Sequence, residues 1–235
     1  LRLARRQGCG VRPDGGRIRT LAVVGRDLFV RTVALRASLT ITVALASRKG
    51  TTALAAFQVA FQWWASLAFV LDALEAAAQS LVAKALGARD AVLARATARR
   101  IIGWAVGLGI VVGGSTALLS PLIARIFTDD QAVLDLLVVS LLWVGLSQPI
   151  NGVAFALDGI LVGAADQTYL AMAMLASLAV MVVGAVLVAP DSVGLWGLWV
   201  LLAAFMGSRV LLLGARYRGN RWMHMGAGPT TRTAS

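Results

Sequence analysis

The stretch FQVAFQWWASLAFVLDALEAAAQSLVAKALG, residues 57–87, decides the fold. It is long enough to cross a bilayer as a helix, yet it carries Gln58, Gln62, Asp72, Glu75 and Gln79. At about 100° of turn per residue these five fall on one side of the rod, so an otherwise apolar helix has a polar stripe. An acid at the centre of a membrane helix costs roughly 2.5–3.5 kcal/mol on insertion scales, and such groups face a bundle interior or a water-filled cavity. The segment is therefore expected to wall a place where something is held or passed.

Composition says the same of the whole chain. Of 235 residues, 59% are hydrophobic and 14% charged, with a mean hydropathy of +0.80, which is too apolar for a soluble domain of this size. An all-α, polytopic membrane bundle is expected. The net charge of +11 would suit a nucleic-acid binder, but the basic residues lie between hydrophobic runs. They read as topology signals facing anionic lipid heads, and no nucleic-acid partner is expected. Cys9 and His224 are each the sole residue of their type, so one chain can form neither a disulfide nor a Cys/His metal cluster. No nucleophile elbow, P-loop or dinucleotide fingerprint occurs, so no enzymatic activity and no cofactor are expected.

Six hydrophobic segments are expected to span, at residues 28–47, 53–83, 101–124, 134–162, 169–189 and 195–215. Residues 1–26 read as a basic cytoplasmic linker around the turn-forming Pro13-Asp14-Gly15-Gly16, residues 27–217 as the membrane unit, and 218–235 as a disordered cytoplasmic tail. The first twenty residues lack the apolar core of a cleavable signal. Leu1 in place of Met leaves open a fragment, a processed chain or an unusual start codon. Sixteen Lys and Arg in one set of alternate connections against three in the other predict that both termini are cytoplasmic. Two cytoplasmic breaks, Gly87-Ala88-Arg89-Asp90 and Gly163-Ala164-Ala165-Asp166, share a weak signature: glycine to end one helix, Asp to cap the next. The acidic Thr128-Asp129-Asp130, on the outer side, is expected to cap the helix that begins near Ala132.

Asp72 and Glu75, one helical turn apart near mid-membrane, form a pair that can share a proton or balance a bound cation. Arg36 is the expected intramembrane counter-charge, facing the bundle and pairing with Asp72 or Asp158, while Arg31 is expected to snorkel to the lipid heads. The fourth segment places Ser140, Gln148, Asn151 and Asp158 on one side, and Pro149 is expected to bend it near its centre, as in helices that line transporter sites. Gly103, Gly107 and Gly113 read as close-packing positions.

In order and spacing, Asp27-Leu28-Phe29-Val30-Arg31-Thr32, the run 53–62, Leu71-Asp72 through Gln79 to Gly87, Phe127-Thr128-Asp129-Asp130, Gln148-Pro149-Ile150-Asn151 and residues 157–163 resemble the multidrug and toxic compound extrusion (MATE) transporters, particularly the DinF-like branch. The resemblance runs from about Thr20 to Tyr217. It implies the C-terminal six-helix lobe of a twelve-helix bacterial plasma-membrane exporter, which exchanges small organic cations for H+ or Na+. It also implies a partner, either an N-terminal lobe or a second copy of this chain. The family's usual coupling acids do not map onto these residues: the lobe that carries one is not matched, and the first segment has Arg31 and Arg36 where other branches have an acid. Asp72, Glu75, Gln79, Gln148, Asn151 and Asp158 are therefore candidates on their expected burial alone. A lipid or lipid-linked-sugar flippase of related architecture and a non-transporting membrane scaffold, or an inactive remnant, are the alternatives.

Overall fold

The computed structural model describes residues 15–189 and 193–223, and among them every regular element is a helix. Helix α1 spans Gly15–Ser47, α2 Thr51–Gly87, α3 Ala91–Leu118, α4 Ser120–Phe127, α5 Gln131–Gly163, α6 Gln167–Val188 and α7 Trp196–Arg218. All but α4 are long and apolar enough to cross a membrane, giving the six spans expected. At 37 residues α2 is about 55 Å long, longer than a bilayer's hydrocarbon layer is thick.

Three boundaries differ from expectation. Helix α1 reaches back to Gly15, into the arm read as linker, because beyond Gly16 no proline interrupts the run to Arg26. The third hydrophobic segment is two helices: Pro121 lacks the N–H and the clearance that continued α-bonding needs, so α3 stops at Leu118 and Pro121 enters the first turn of α4. The first residues of the tail pack against the bundle. Trp222 is fully buried, its indole N–H donates to the Tyr217 carbonyl at 3.0 Å, and Arg95 donates to Gly219 O and Asn220 Oδ1 at 3.0 and 2.8 Å. Cys9, the Pro13-Asp14 turn residues and His224 lie outside the described residues.

The paired turns are alike in structure as well as sequence. Asp90 N–H bonds to Ala85 O and Arg89 N–H to Leu86 O; Asp166 N–H bonds to Leu161 O and Ala165 N–H to Val162 O. This is the Schellman closure of a helix end. The left-handed residues, however, are Arg89 (φ 59°) and Ala165 (φ 58°), whereas Gly87 and Gly163 remain helical. Asp90 caps α3 through Leu93 N–H at 2.8 Å, but Asp166 turns instead to Arg216 at 2.7 Å. Asp130 caps α5 as expected, accepting from Ala132 N–H at 2.9 Å.

Glycine decides how the helices stack. A Cβ on Gly163 would stand 2.5 Å from the Gln79 carbonyl oxygen, and one on Gly159 would collide with that of Glu75, so α2 lies backbone to backbone on α5. On the other flank a Cβ on Gly152 would be 2.5 Å from Ala105 O, and one on Gly109 2.7 Å from Gln148 O, which brings α3 equally close. Gly113 joins this contact as expected, but Gly103 and Gly107 face open space. Helices α2, α3 and α5 thus form one tightly packed group. Helices α1, α6 and α7 form a second, joined to the first mainly through α5 and α7, while α1 meets α2 only sparsely. Within the second group Thr168 Oγ1 donates to Asp27 Oδ2 at 2.6 Å, and Lys49 Nζ to Val188 O at 3.1 Å.

Candidate functional site

Where α1 and α2 part, a recess of about 360 Å³ opens into the bundle. Helix α1 brings Arg31 and Arg36, α2 brings Asp72 and Glu75, α5 brings Asp158 and α7 brings Arg209, with Trp64, Phe69, Phe155 and Met206 among its apolar parts. Asp158 is the pivot. It is 1% exposed and accepts from Arg209 Nη2 in a very close pair, while Arg31 Nη2 lies 3.2 Å from the same oxygen and 3.5 Å from Glu75 Oε1. Arg209 also lies 5.9 Å from the Phe205 ring centroid and 3.2 Å from Met206 Sδ.

An isolated charge this deep would cost several kcal/mol, and only close pairing with further hydrogen bonds offsets the penalty. The chain meets that demand by matching two arginines to two acids. Every one of these ion pairs crosses between the two helix groups, since α1 and α7 supply the cations and α2 and α5 the anions. Asp72 is exposed at the rim, with no ion pair among the described residues. Of the polar stripe on α2, Gln58, Gln62, Asp72 and Gln79 all point outward, and Glu75 alone turns in.

Several candidates lie elsewhere. The expected counter-charge, Arg36, is exposed and forms no ion pair among the described residues; Arg31, expected to snorkel, takes that place because it faces Asp158. Gln148 and Asn151 are buried outside the recess: Gln148 Nε2 donates to Val144 O at 3.0 Å, and Asn151 Nδ2 to Ser147 Oγ at 3.3 Å. Gln79 is likewise not part of the recess, and its backbone meets Gly163. Pro149 does not interrupt α5. It does deprive the Gly145 carbonyl of its i+4 donor, and that carbonyl lies against Gly113. Arg209, which sequence reasoning passed over, had a readable signal: it is the only charged residue between Trp196 and Ala215.

Comparison with known proteins agrees with this architecture. The family model described as MatE matches residues 29–187. Protein DETOXIFICATION 43 of Arabidopsis thaliana is 33% identical over 207 residues, covering 87% of this chain and 38% of the relative. Protein DETOXIFICATION 42 of the same plant is 35% identical over 182 residues, covering 77% and 35%. The chloroplastic Protein DETOXIFICATION 45 is 32% identical over 212 residues, covering 86% and 36%. The chain thus spans well under half the length of these relatives. A match across most of its membrane helices, including those that carry Arg31, Glu75 and Asp158, shows that this integral membrane protein belongs to the MatE family.

Proposed function

We propose that this chain works as the C-terminal six-helix lobe of a MATE-type exporter of the DinF-like kind, in which organic cations leave in exchange for H+ or Na+. The observation that carries the reading is the recess, an intramembrane site whose acids, Glu75 and Asp158, are matched by arginines from the opposite helix group. Asp72 stands at its mouth as the acid first met by an entering cation. Family membership supports transport as the use of such a site. Alternating access rocks one lobe against another. A second lobe, from another copy or another polypeptide segment, therefore completes the pathway along the outward face of α1 and α2. The charge bias of the loops supports a cytoplasmic position for both termini, and the DinF-like reading supports a bacterial plasma membrane.

The test uses inverted membrane vesicles in which cross-linking shows the chain paired with a second lobe. Movement of a cationic dye should follow an imposed pH or Na+ gradient, and Asp72→Asn with Glu75→Gln should abolish it. Unaltered ion dependence in that double variant would sink the assignment of the acids. Lipid transfer between leaflets without dye movement would replace the exporter by a flippase.

A further inference from the structure

Asn151 is turned away from the recess, and its surroundings give it a different ligand. The Ser147 hydroxyl donates to the Val144 carbonyl at 2.8 Å, so only its lone pairs are free, and Asn151 Nδ2 donates to them at 3.3 Å. The Asn151 Oδ1 is then left buried with no hydrogen-bond partner. On α7, Trp199 is 4% exposed, and its indole N–H is also without an acceptor. Asn151 and Trp199, which carry one orphaned acceptor and one orphaned donor on facing helices, border a single small void together with Trp64, Trp143, Ser147 and Met206.

Each unsatisfied buried group is destabilising, and one molecule that both donates and accepts would relieve the two at once. The void leaves about 10 Å³ for the centre of such a molecule. Space of that size for a molecular centre admits a single ordered water and nothing much larger. A bare cation is the wrong guest for an indole N–H, which only donates, and an anion is opposed by Asn151 Oδ1, which only accepts.

We propose that Asn151 and Trp199 hold one buried water, which ties α5 to α7 directly behind the recess. Trp64 and Met206 border both spaces and form the wall between them. Asp158 lies two turns along α5 from Asn151, and Arg209 lies further along α7 from Trp199. The water therefore fixes the sliding position of the two helices that carry the most buried ion pair. Asn151 is a positioning residue, and this role stands whether or not the lobe transports anything.

Proton-detected NMR of the full chain in lipid bilayers, with 15N-labelled indoles, tests the site; Trp199→Phe identifies the resonance. The Trp199 N–H should receive magnetisation from a slowly exchanging water, and the transfer should fall several-fold in Asn151→Leu, whose side chain fills the void and accepts nothing. The indole of Trp222, bonded to Tyr217 O, should be the same in both. Absence of transfer to Trp199 in the unsubstituted chain overturns the proposal, and so does equal transfer in Asn151→Leu. A Na+-dependent shift of the Trp199 resonance without water transfer overturns it in favour of a cation. The unsubstituted chain alone decides the first point, so misfolding of the variant leaves the site testable.

Discussion

Arg31 and Arg36 stand five residues apart on one helix and meet opposite fates. Arg31 is 16% exposed and spans Glu75 and Asp158, whereas Arg36 is exposed at the mouth of the recess. Breaking a fully buried pair costs roughly 3–5 kcal/mol, and since Asp158 would keep Arg209, Arg31→Gln should destabilise by about 2 kcal/mol. Arg36→Gln should stay within about 0.5 kcal/mol. Thermal unfolding in detergent micelles measures both, and equal losses would contradict the assignment of partners. A helical wheel of α1 sets the two arginines about 140° apart but could not say which of them meets the acids, because the deciding groups are carried by α2, α5 and α7. Arg209 was legible on α7 alone, by the same argument that drew attention to Arg36: a lone charge deep in an apolar span needs a partner.

At the scale of elements, glycine spacing was readable and glycine orientation was not. Gly103 and Gly107 have the same four-residue spacing as Gly159 and Gly163, yet only the latter pair lies against another backbone. Gly159→Ala or Gly163→Ala should push α2 off α5 and cost about 1–3 kcal/mol as overpacking. Gly107→Ala meets nothing within 4 Å and should be neutral or stabilise α3 by up to about 1 kcal/mol. Unfolding midpoints of the three variants in one detergent give the comparison, and a loss at Gly107 as large as at Gly159 would show that α3 has a close neighbour on its outer face. Local chemistry carried the Asp90 cap and the cap at Thr128-Asp129-Asp130 correctly, because a cap depends on the next few residues. It misplaced the left-handed turn residues, because the hydrogen-bonded closure, not the glycine, fixes which residue turns. It missed the break at Leu119 because hydropathy averages across a proline.

For the molecule as a whole, the number of spans was legible because bilayer thickness sets a minimum length that each segment meets. The division into two helix groups was not, since it arises from contacts between segments far apart in sequence. Loop charge makes a separate prediction about placement in the membrane. In a Cys9→Ser background, a cysteine at Ala88 should react with an impermeant thiol reagent only from the cytoplasmic side, and one at Asp129 only from the opposite side. Both positions are exposed in connections between spans. The reverse pattern would overturn the inferred orientation.

The segregation of charge between the helix groups has a chemical consequence. In the recess the counter-ions are tethered: the acids belong to one group, and the arginines paired with them hang from the other. On the proposed reading, a cation would not fill an empty site there. It would enter by displacement, taking Arg31 off Glu75 or Arg31 and Arg209 off Asp158. Selectivity would then be set by the difference between two bound forms, so a tightly held arginine would make a demanding filter and a loosely held one a permissive port.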